Sequence, residues 1–233
     1  MATKDGFKIP VEPIEHEPLH ERLYISLRKS IMSGQFSPGQ KLTVRGLAEA
    51  FGTSPMPVRA SLSRLVAEGG LIQRENGTII LPPMNKKTFM EVMEMRAVLE
   101  KMATIKACHH MDQAAFKDLR AKGNALASAA KKNDITEYLE VNRKLKFTIY
   151  RQADSQVLFS IIEKLWLQAG PFLRHLAGNL KGIMQINYHE DAFRLLKEGK
   201  AEQAGEEIAR DILAGMECIL QTSIDWEDIN SVN

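Results

Sequence analysis

Cysteines, aromatic residues and long apolar runs are all scarce in this sequence, and each shortage excludes a class of protein. The 233 residues include two cysteines, Cys108 and Cys218, which lie far apart and outside any Cys-x-x-Cys or Cys/His cluster. A disulfide framework and a zinc finger are therefore excluded, and a reducing cytoplasm is the expected location. No run reaches the ~20 apolar residues that span a bilayer, and residues 1–21 lack the apolar core of a secretory signal peptide. An aromatic content of 6% argues against an all-β sandwich and suits a helical protein.

Positive charge is concentrated in one part of a chain that is nearly neutral overall. The net charge at pH 7 is +2, yet residues 22–74 hold eight cationic and two acidic side chains, a net of +6. Residues 1–21 carry a net charge of −3, and the remaining 159 residues carry a net charge of −1. A basic block of this size predicts a polyanionic partner. A solvated basic surface without a partner is the alternative, and charge alone does not decide between the two.

The first part of the chain predicts three short helices. Leucine and isoleucine recur every four positions over residues 17–33, which is typical of an amphipathic helix. Apolar stripes over residues 43–52 and 54–68 predict two more helices, with Thr43 and Ser54 as their N-caps. The last two helices are joined by a short turn, a spacing typical of a helix-turn-helix.

A hairpin follows these helices. Asn76-Gly77 between two apolar runs predicts a two-residue turn, and the hairpin would form a wing. Pro82-Pro83 close the unit. We therefore expect a DNA-binding domain at residues 1–83 and a second domain at residues 84–233.

The second domain has helical patterns throughout, with sparse glycine and no alternating strand pattern. The predicted helices lie near residues 86–109, 112–131, 134–153, 155–175, 184–198 and 200–223. Short loops between such helices favour an antiparallel bundle. The predicted fold class is thus mainly α, with an N-terminal winged helix-turn-helix followed by an all-α antiparallel helical bundle.

The helix over residues 54–68 has two contrasting faces. One side carries Val58, Leu62 and Leu65, and the opposite side carries Met56, Arg59, Ala60 and Ser63. Small or neutral residues around a single arginine suit insertion into a major groove. A solvated surface arginine is the simpler interpretation of Arg59 alone, but the helix pair, the hairpin and the basic block together favour DNA binding.

The same segment resembles a known family. Two strings of residues resemble the winged helix-turn-helix of GntR-type bacterial regulators. The first is Ile31-x-x-Gly34-x-Phe-x-Pro38-Gly39-x-x-Leu42, and the second is Leu47-Ala48-Glu49-x-Phe-Gly52-x-Ser54-x-x-Pro57-Val58-Arg59-x-x-Leu62-x-Arg64-Leu65-x-x-Glu68-Gly69. The helical remainder is similar to the effector domain of the FadR or FCD branch, through Met95-Arg96-x-x-Leu99-Glu100 and Leu195-Leu196-x-x-Gly199-x-x-x-x-Ala204.

The resemblance implies DNA contacts near the reading helix and the wing. Arg45 and Arg59 would approach bases or phosphates, and Ser54 and Gly77 would touch phosphate or the minor groove. The full predicted set is Lys41, Arg45, Ser54, Met56, Arg59, Ser63, Arg64, Asn76 and Gly77. Pro55 and Ala60 stand where the family often has Arg and Glu, so no family operator sequence is expected to apply.

Polar residues in the middle of apolar helical stripes predict an effector cavity in the bundle. The candidates are Arg96, Lys144, Thr148, Arg174, His189 and Asp211. Buried polar groups need partners, and an arginine fork suits a carboxylate. We expect Arg96 to anchor an effector carboxylate, with Lys144 or Arg174 as a second cation. A purely structural His189–Asp211 pair is the alternative.

The resemblance also implies a divalent metal, because many FCD-type domains hold one with an Asp and a His four residues apart and two later His. Aligning Phe147-Thr148 with the usual Phe-His places Lys144, Thr148, His189 and Asp211 at these positions. A protonated lysine has no lone pair to donate and repels a cation. We therefore expect a degenerate site with no bound transition metal, and no other cofactor.

These features predict a ligand-responsive transcriptional regulator, expected to act as a repressor. Its partners would be a palindromic double-stranded DNA operator, a small carboxylate metabolite and a second copy of the chain, with no membrane. One alternative is an architectural DNA-binding protein without an effector. Another is an enzyme that uses His189, Asp211 and Lys144 for acid–base chemistry, but no nucleophile motif or Gly-rich phosphate loop supports it.

Overall fold

Helices account for nearly all regular structure in the computed structural model, which describes residues 18–184, 187–224 and 226. This arrangement confirms the predicted mainly α fold class. The helices are α1 (Leu19–Met32), α2 (Val44–Ala50), α3 (Pro55–Ala67), α4 (Lys86–Ala107), α5 (Gln113–Lys132), α6 (Ile135–Arg151), α7 (Gln156–Leu173), α8 (Leu180–Ile183), α9 (Tyr188–Lys197) and α10 (Ala201–Leu220). No helix in the described part of the chain is long and apolar enough to cross a membrane.

The N-terminal helices surround a small antiparallel sheet of β1 (Lys41–Leu42), β2 (Ile72–Gln73) and β3 (Ile79–Ile80), in the order β1-β3-β2. Strand β1 was not predicted; its Lys41 pairs with Ile80. Thr43 caps α2 as predicted, because its side chain accepts a hydrogen bond from the N–H of Gly46.

The wing hairpin has a longer loop than the two residues predicted. The N–H of Arg74 donates to the carbonyl of Thr78, so residues 75–77 form the loop. Gly77 has a φ of +81°, whereas Asn76 is outside the left-handed region. A two-residue type I′ turn needs positive φ at both central residues. The loop is therefore the three-residue form that ends on a left-handed glycine.

The C-terminal bundle is organised around α4, which packs against α10 and α7, while α5 packs against α6 and α9 against α10. Side-chain caps begin most of these helices, from Asn85, Asp112, Asp134, Ser155 and Asn187. The predicted helix over 184–198 begins at Tyr188, and residues 185–186 lie outside the described part. A 3₁₀ turn at Arg174–Leu176 replaces the end of the helix predicted over 155–175. Helix α8 lies where a loop was predicted.

The N-terminal unit sits directly on the bundle, with α1 packed against α7. Gly170 permits this contact, because a Cβ there would lie 2.3 Å from the carbonyl oxygen of Ile31. Arg28 of α1 adds a two-pronged ion pair to Glu163 of α7, with nitrogen–oxygen distances of 2.7 and 3.0 Å. The domain boundary predicted at residue 83 falls between β3 and α4 and stays a prediction.

Candidate nucleic-acid interface and effector cavity

Helix α3 presents one buried face and one exposed face. Val58, Leu62 and Leu65 are fully buried against the neighbouring helices. Met56, Arg59, Ala60 and Ser63 are exposed, and Met56 has 79% of its surface accessible. Burying the first face fixes the helix on the protein and leaves the second face available to a partner.

The start of α3 keeps the Ser54 hydroxyl available. An N-cap side chain normally accepts a hydrogen bond from the N–H of the second or third helical residue. The third residue here is Pro57, which has no N–H, and Ser54 makes no capping hydrogen bond. The exposed Ser54 hydroxyl is thus not occupied by the capping hydrogen bond that an N-cap serine usually forms.

Three of the predicted DNA-contacting cations are exposed and without a partner inside the chain. The side chains of Lys41, Arg45 and Arg59 form no hydrogen bond or ion pair with any described residue. Arg59 lies in α3, Lys41 in β1 and Arg45 in α2. Asn76 and Gly77 are exposed at the tip of the wing, where the Asn76 side chain accepts from the N–H of Thr78.

Arg64 differs from the other predicted DNA-contacting cations, because it forms ion pairs with carboxylates of the same chain. Its guanidinium lies 2.6 Å from a carboxylate oxygen of Glu21 and 3.3 Å from one of Glu68. It also stacks over the ring of Tyr24, 3.7 Å from the centroid. Arg64 therefore stabilises the packing of α1 on α3 and is not a free DNA contact. Arg28 is likewise paired, so the basic block offers DNA less charge than its sequence suggests.

A second candidate site is a polar cavity of about 30 Å³ inside the bundle. Arg96 of α4, three residues of α6 and Asp211 of α10 supply its polar lining. The three α6 residues are Tyr138, Asn142 and Lys146. Leu173 and Leu176, at the end of α7 and in the 3₁₀ turn, close its apolar side.

Lys146 and Asp211 form a buried ion pair at this cavity, with Lys146 Nζ 2.6 Å from Asp211 Oδ2. Only 1% of the Lys146 side chain and 11% of the Asp211 side chain are exposed. His189 of α9 lies behind the pair, with Nε2 3.5 Å from the same Asp211 oxygen. Neither His189 Nε2 nor Asn142 Oδ1 has a hydrogen-bond partner among the described residues.

The ionisation states follow from this burial. Burial lowers the pKa of His189, the charge of Asp211 raises it and that of Lys146 lowers it, and the net direction is downward. Burial alone would raise the pKa of Asp211, but His189 and Lys146 hold it below its usual value. Burial and the Asp211 charge raise the pKa of Tyr138 well above its usual range. At neutral pH Asp211 is therefore a carboxylate, the Tyr138 side chain is a neutral phenol, and the His189 side chain beside the cavity is a neutral imidazole.

The structure shows that Lys144 and Thr148 were assigned to the wrong face of α6. Lys144 is half exposed and pairs with Glu140 at 3.1 Å. Thr148 faces α5, where its hydroxyl donates to Asp118 at 3.2 Å. Neither residue lines the cavity. The α6 residues that do include Asn142 and Lys146, each two positions before the corresponding predicted residue. The spacing Tyr138, Asn142, Lys146 is a repeat of four, and this signal was present in the sequence.

Arg96 reaches the cavity, but Glu100 already balances its charge. Arg96 Nε donates to Glu100 at 2.8 Å, and the guanidinium stacks over Trp166 at 4.2 Å from the ring centroid. Glu100 is fully buried and also accepts hydrogen bonds from Tyr150 at 2.5 Å and Trp166 at 2.9 Å. Arg96 Nε is therefore engaged by Glu100, and the role of the guanidinium as an anchor for an effector carboxylate stays a prediction.

Arg174 lies outside the cavity, which corrects its assignment as a second effector-binding cation. Its guanidinium donates to the hydroxyl of Ser37 at 2.7 Å, in the turn that precedes β1. Its neighbours Leu173 and Leu176 do line the cavity. Arg174 thus connects the cavity wall to the N-terminal unit.

The cavity residues do not fit a divalent metal. The pair four residues apart that faces it is Asn142 and Lys146, so an amide and an ammonium stand where the resemblance implies an Asp and a His. No group of three His, Cys, Asp or Glu side chains that could hold a metal occurs among the described residues. An ammonium has no lone pair for a metal.

One string matches a zinc-protease motif by its letters. Residues 16–20 read His-Glu-Pro-Leu-His, which has the form His-Glu-x-x-His. That motif needs both histidines on one helix face, a turn apart. Helix α1 begins only at Leu19, with Pro18 preceding it in an extended conformation. Residues 16 and 17 lie outside the described part of the chain.

Comparisons with known proteins assign a family to each part of the chain. Residues 19–80 match the family described as bacterial regulatory proteins, gntR family, and residues 91–214 match the FCD domain. The chain belongs to the GntR family of DNA-binding transcriptional regulators. Its second domain is an FCD effector-binding domain, and its matches are regulators rather than enzymes.

This regulator is similar to several characterised proteins over most of their length. The HTH-type transcriptional regulator McbR of Escherichia coli K12 is 29% identical over 183 residues, which cover 78% of this chain and 82% of McbR. The repressor RspR of the same strain is 23% identical over 90% of this chain and 94% of RspR. The solved structure of E. coli McbR/YncC has a TM-score of 0.82 at 25% identity, covering 88% of this chain and 99% of that chain. A GntR regulator from Rhodococcus sp. RHA1 shares the fold, with a TM-score of 0.70 at 16% identity over 88% of this chain and 99% of that one.

Proposed function

We propose that this regulator acts in the cytoplasm as a homodimeric repressor that binds a palindromic operator and responds to a small organic acid. The observation that carries the DNA part is the exposed face of α3, where Arg59 has no partner among the described residues and Met56 is 79% accessible. An arginine there is able to donate two hydrogen bonds to guanine. Met56 and Ala60 offer apolar contacts suited to thymine methyl groups.

The dimer proposal is supported by exposed apolar stripes on two helices. Met95, Val98 and Met102 of α4 are 49%, 56% and 45% exposed and follow helical spacing. On α7, which packs against α4, Val157 and Ile161 are 74% and 41% exposed. Apolar stripes of this kind are typical of protein interfaces. Val98→Asp should convert the dimer to a monomer in light scattering, whereas Glu94→Asp on the same helix should leave the dimer intact.

The charges around the cavity restrict the class of effector. Lys146 is paired with Asp211 and Arg96 with the adjacent buried Glu100, so these two pairs together carry no net charge. Burying a dianion there would leave two uncompensated negative charges, against one for a monoanion, and each such charge is costly at low dielectric. The effector we propose is therefore a small acid with a single carboxylate, which would share Lys146 with Asp211.

Effector binding would be coupled to DNA through α7. A cavity of about 30 Å³ has room for one or two waters, so a ligand must displace its lining. Leu173 and Leu176 are part of that lining, and Arg174 between them holds Ser37. Farther along α7, Gly170 and Glu163 contact α1. Movement of the α7 end would thus shift α1, against which α3 packs.

The proposal is tested by selecting bound sequences from a random DNA pool with full-length protein. We expect enrichment of an inverted repeat. Monocarboxylates, matched dicarboxylates and the corresponding neutral amides are then screened by thermal shift and by operator binding. A monocarboxylate should raise the melting temperature and alter operator affinity more than its amide or a dicarboxylate. Enrichment of no sequence, or equal effects of acid and amide, would contradict the DNA part and the effector part respectively.

A further inference from the structure

The Lys146, Asp211 and His189 side chains converge on a single oxygen atom. Asp211 Oδ2 lies 2.6 Å from Lys146 Nζ and 3.5 Å from His189 Nε2. His189 is 4% exposed, and its buried Nε2 has no hydrogen-bond partner within the part of the chain that the structure describes. Such an unpartnered imidazole nitrogen beside a carboxylate is unusual in a protein interior, where polar groups are nearly always paired.

The spacing of His189 and Asp211 suits two ligands of one metal ion. Zinc binds histidine nitrogen and carboxylate oxygen at about 2.0–2.2 Å in tetrahedral geometry, which separates two such ligand atoms by about 3.4 Å. The observed separation is 3.5 Å. Asn142 Oδ1 and Lys146 Nζ, both at the cavity, also have no hydrogen-bond partner among the described residues. Two candidate metal ligands, His189 and Asp211, thus lie at a suitable separation beside the cavity.

Lys146 lies beside Asp211, where a third metal ligand would be needed, but a lysine ammonium cannot bind a metal. Its ammonium has no lone pair to donate, and its positive charge forms an ion pair with the same Asp211 oxygen that a metal would need. We infer that the Lys146 ammonium is the built-in cation of this cavity, that it excludes a divalent metal, and that its replacement by histidine would create a metal site. Residue 146 would then supply an imidazole to Asn142, His189 and Asp211, a donor set suited to nickel or zinc.

Metal titration of untagged, chelator-stripped full-length protein tests this inference. Calorimetry and elemental analysis with Ni²⁺ and Zn²⁺ should find far less than one ion per chain bound to the cavity of the natural protein. Lys146→His should bind about one ion per chain and melt at a higher temperature when nickel is added. The matched control is Lys144→His, which places a histidine on the exposed face of the same helix and should gain no cavity metal.

A second substitution assigns the metal to its site. Adding His189→Ala to Lys146→His should abolish the gain, because it removes one of the strong ligands. A folded Lys146→His protein that binds no more metal than Lys144→His would overturn the inference. So would near-stoichiometric metal in the natural protein that is lost on His189→Ala, a result that does not depend on whether any Lys146 variant folds. Metal that survives His189→Ala is bound elsewhere and leaves the inference standing.

Discussion

Glu100 is the residue whose loss should destabilise this protein most clearly. Its carboxylate is fully buried and accepts hydrogen bonds from Arg96, Tyr150 and Trp166. Glu100→Met would leave the Arg96 charge buried without its partner. Breaking a buried ion pair from one side costs about 3–5 kcal/mol. The orphaned Tyr150 and Trp166 donors place this variant in the upper part of that range.

The assay is urea unfolding followed by circular dichroism at one fixed protein concentration, since a dimer's stability depends on concentration. A loss of 3–5 kcal/mol corresponds to a fall of roughly 6–20 °C in melting temperature for a chain of this size. Lys117→Met, at an exposed position of α5 outside the proposed dimer surface, should change stability by less than about 0.5 kcal/mol. The double variant Arg96→Met/Glu100→Met should recover part of the loss, because no charge stays buried. A Glu100→Met loss below about 1 kcal/mol would refute the reasoning.

Two further predictions concern the contact between the N-terminal unit and the bundle. Gly170→Ala should force α1 from α7 and cost about 1–3 kcal/mol by overpacking, whereas Gly215→Ala, which has open space around it, should be neutral or slightly stabilising in the same unfolding assay. Burial opposes ionisation of Glu140, but the Ser33 hydrogen bond and the charge of Arg143 outweigh it and lower its pKa. Its unfolded state then binds protons more readily, so its stabilisation is full above about pH 4.5 and lost as the pH falls. Glu140→Gln should therefore make unfolding free energy less dependent on pH between about 5 and 3; an unchanged dependence would contradict this assignment.

The fold was predictable where local signals were strong. Apolar spacing and capping residues located the main helices, and they assigned the buried and exposed faces of α3 correctly. The length of the wing loop was predicted wrongly, because Asn-Gly occurs in both two-residue and three-residue hairpin loops. The strand pairing, which the sequence does not show, selects the three-residue form. The 3₁₀ turn after α7 could not be predicted, because it depends on contacts between distant parts of the chain.

The candidate sites were harder to predict because partners decide their chemistry. Arg64 and Arg96 looked like free charges in the sequence, yet tertiary contacts supply Glu21 to the first and place Trp166 and Tyr150 around the carboxylate that balances the second. On α6 the difference between Lys144 and Lys146 is one of helical phase. A shift of two residues turns a side chain about 200° around the helix, so Lys146 faces the cavity whereas Lys144 faces the solvent.

The most direct test of the central claim compares Arg59→Ala with Lys41→Ala on the selected operator and on unrelated DNA. Arg59 lies on the exposed face of α3, so its loss should weaken operator binding by about 1–3 kcal/mol, roughly five- to 150-fold, and affect unrelated DNA far less. Lys41→Ala removes a charge outside that helix and should weaken both DNAs alike, with the salt dependence reduced by about one unit of slope. Fluorescence anisotropy titrations at several salt concentrations measure all four affinities. If Arg59→Ala left the ratio of operator to unrelated affinity unchanged, α3 would not be the reading helix.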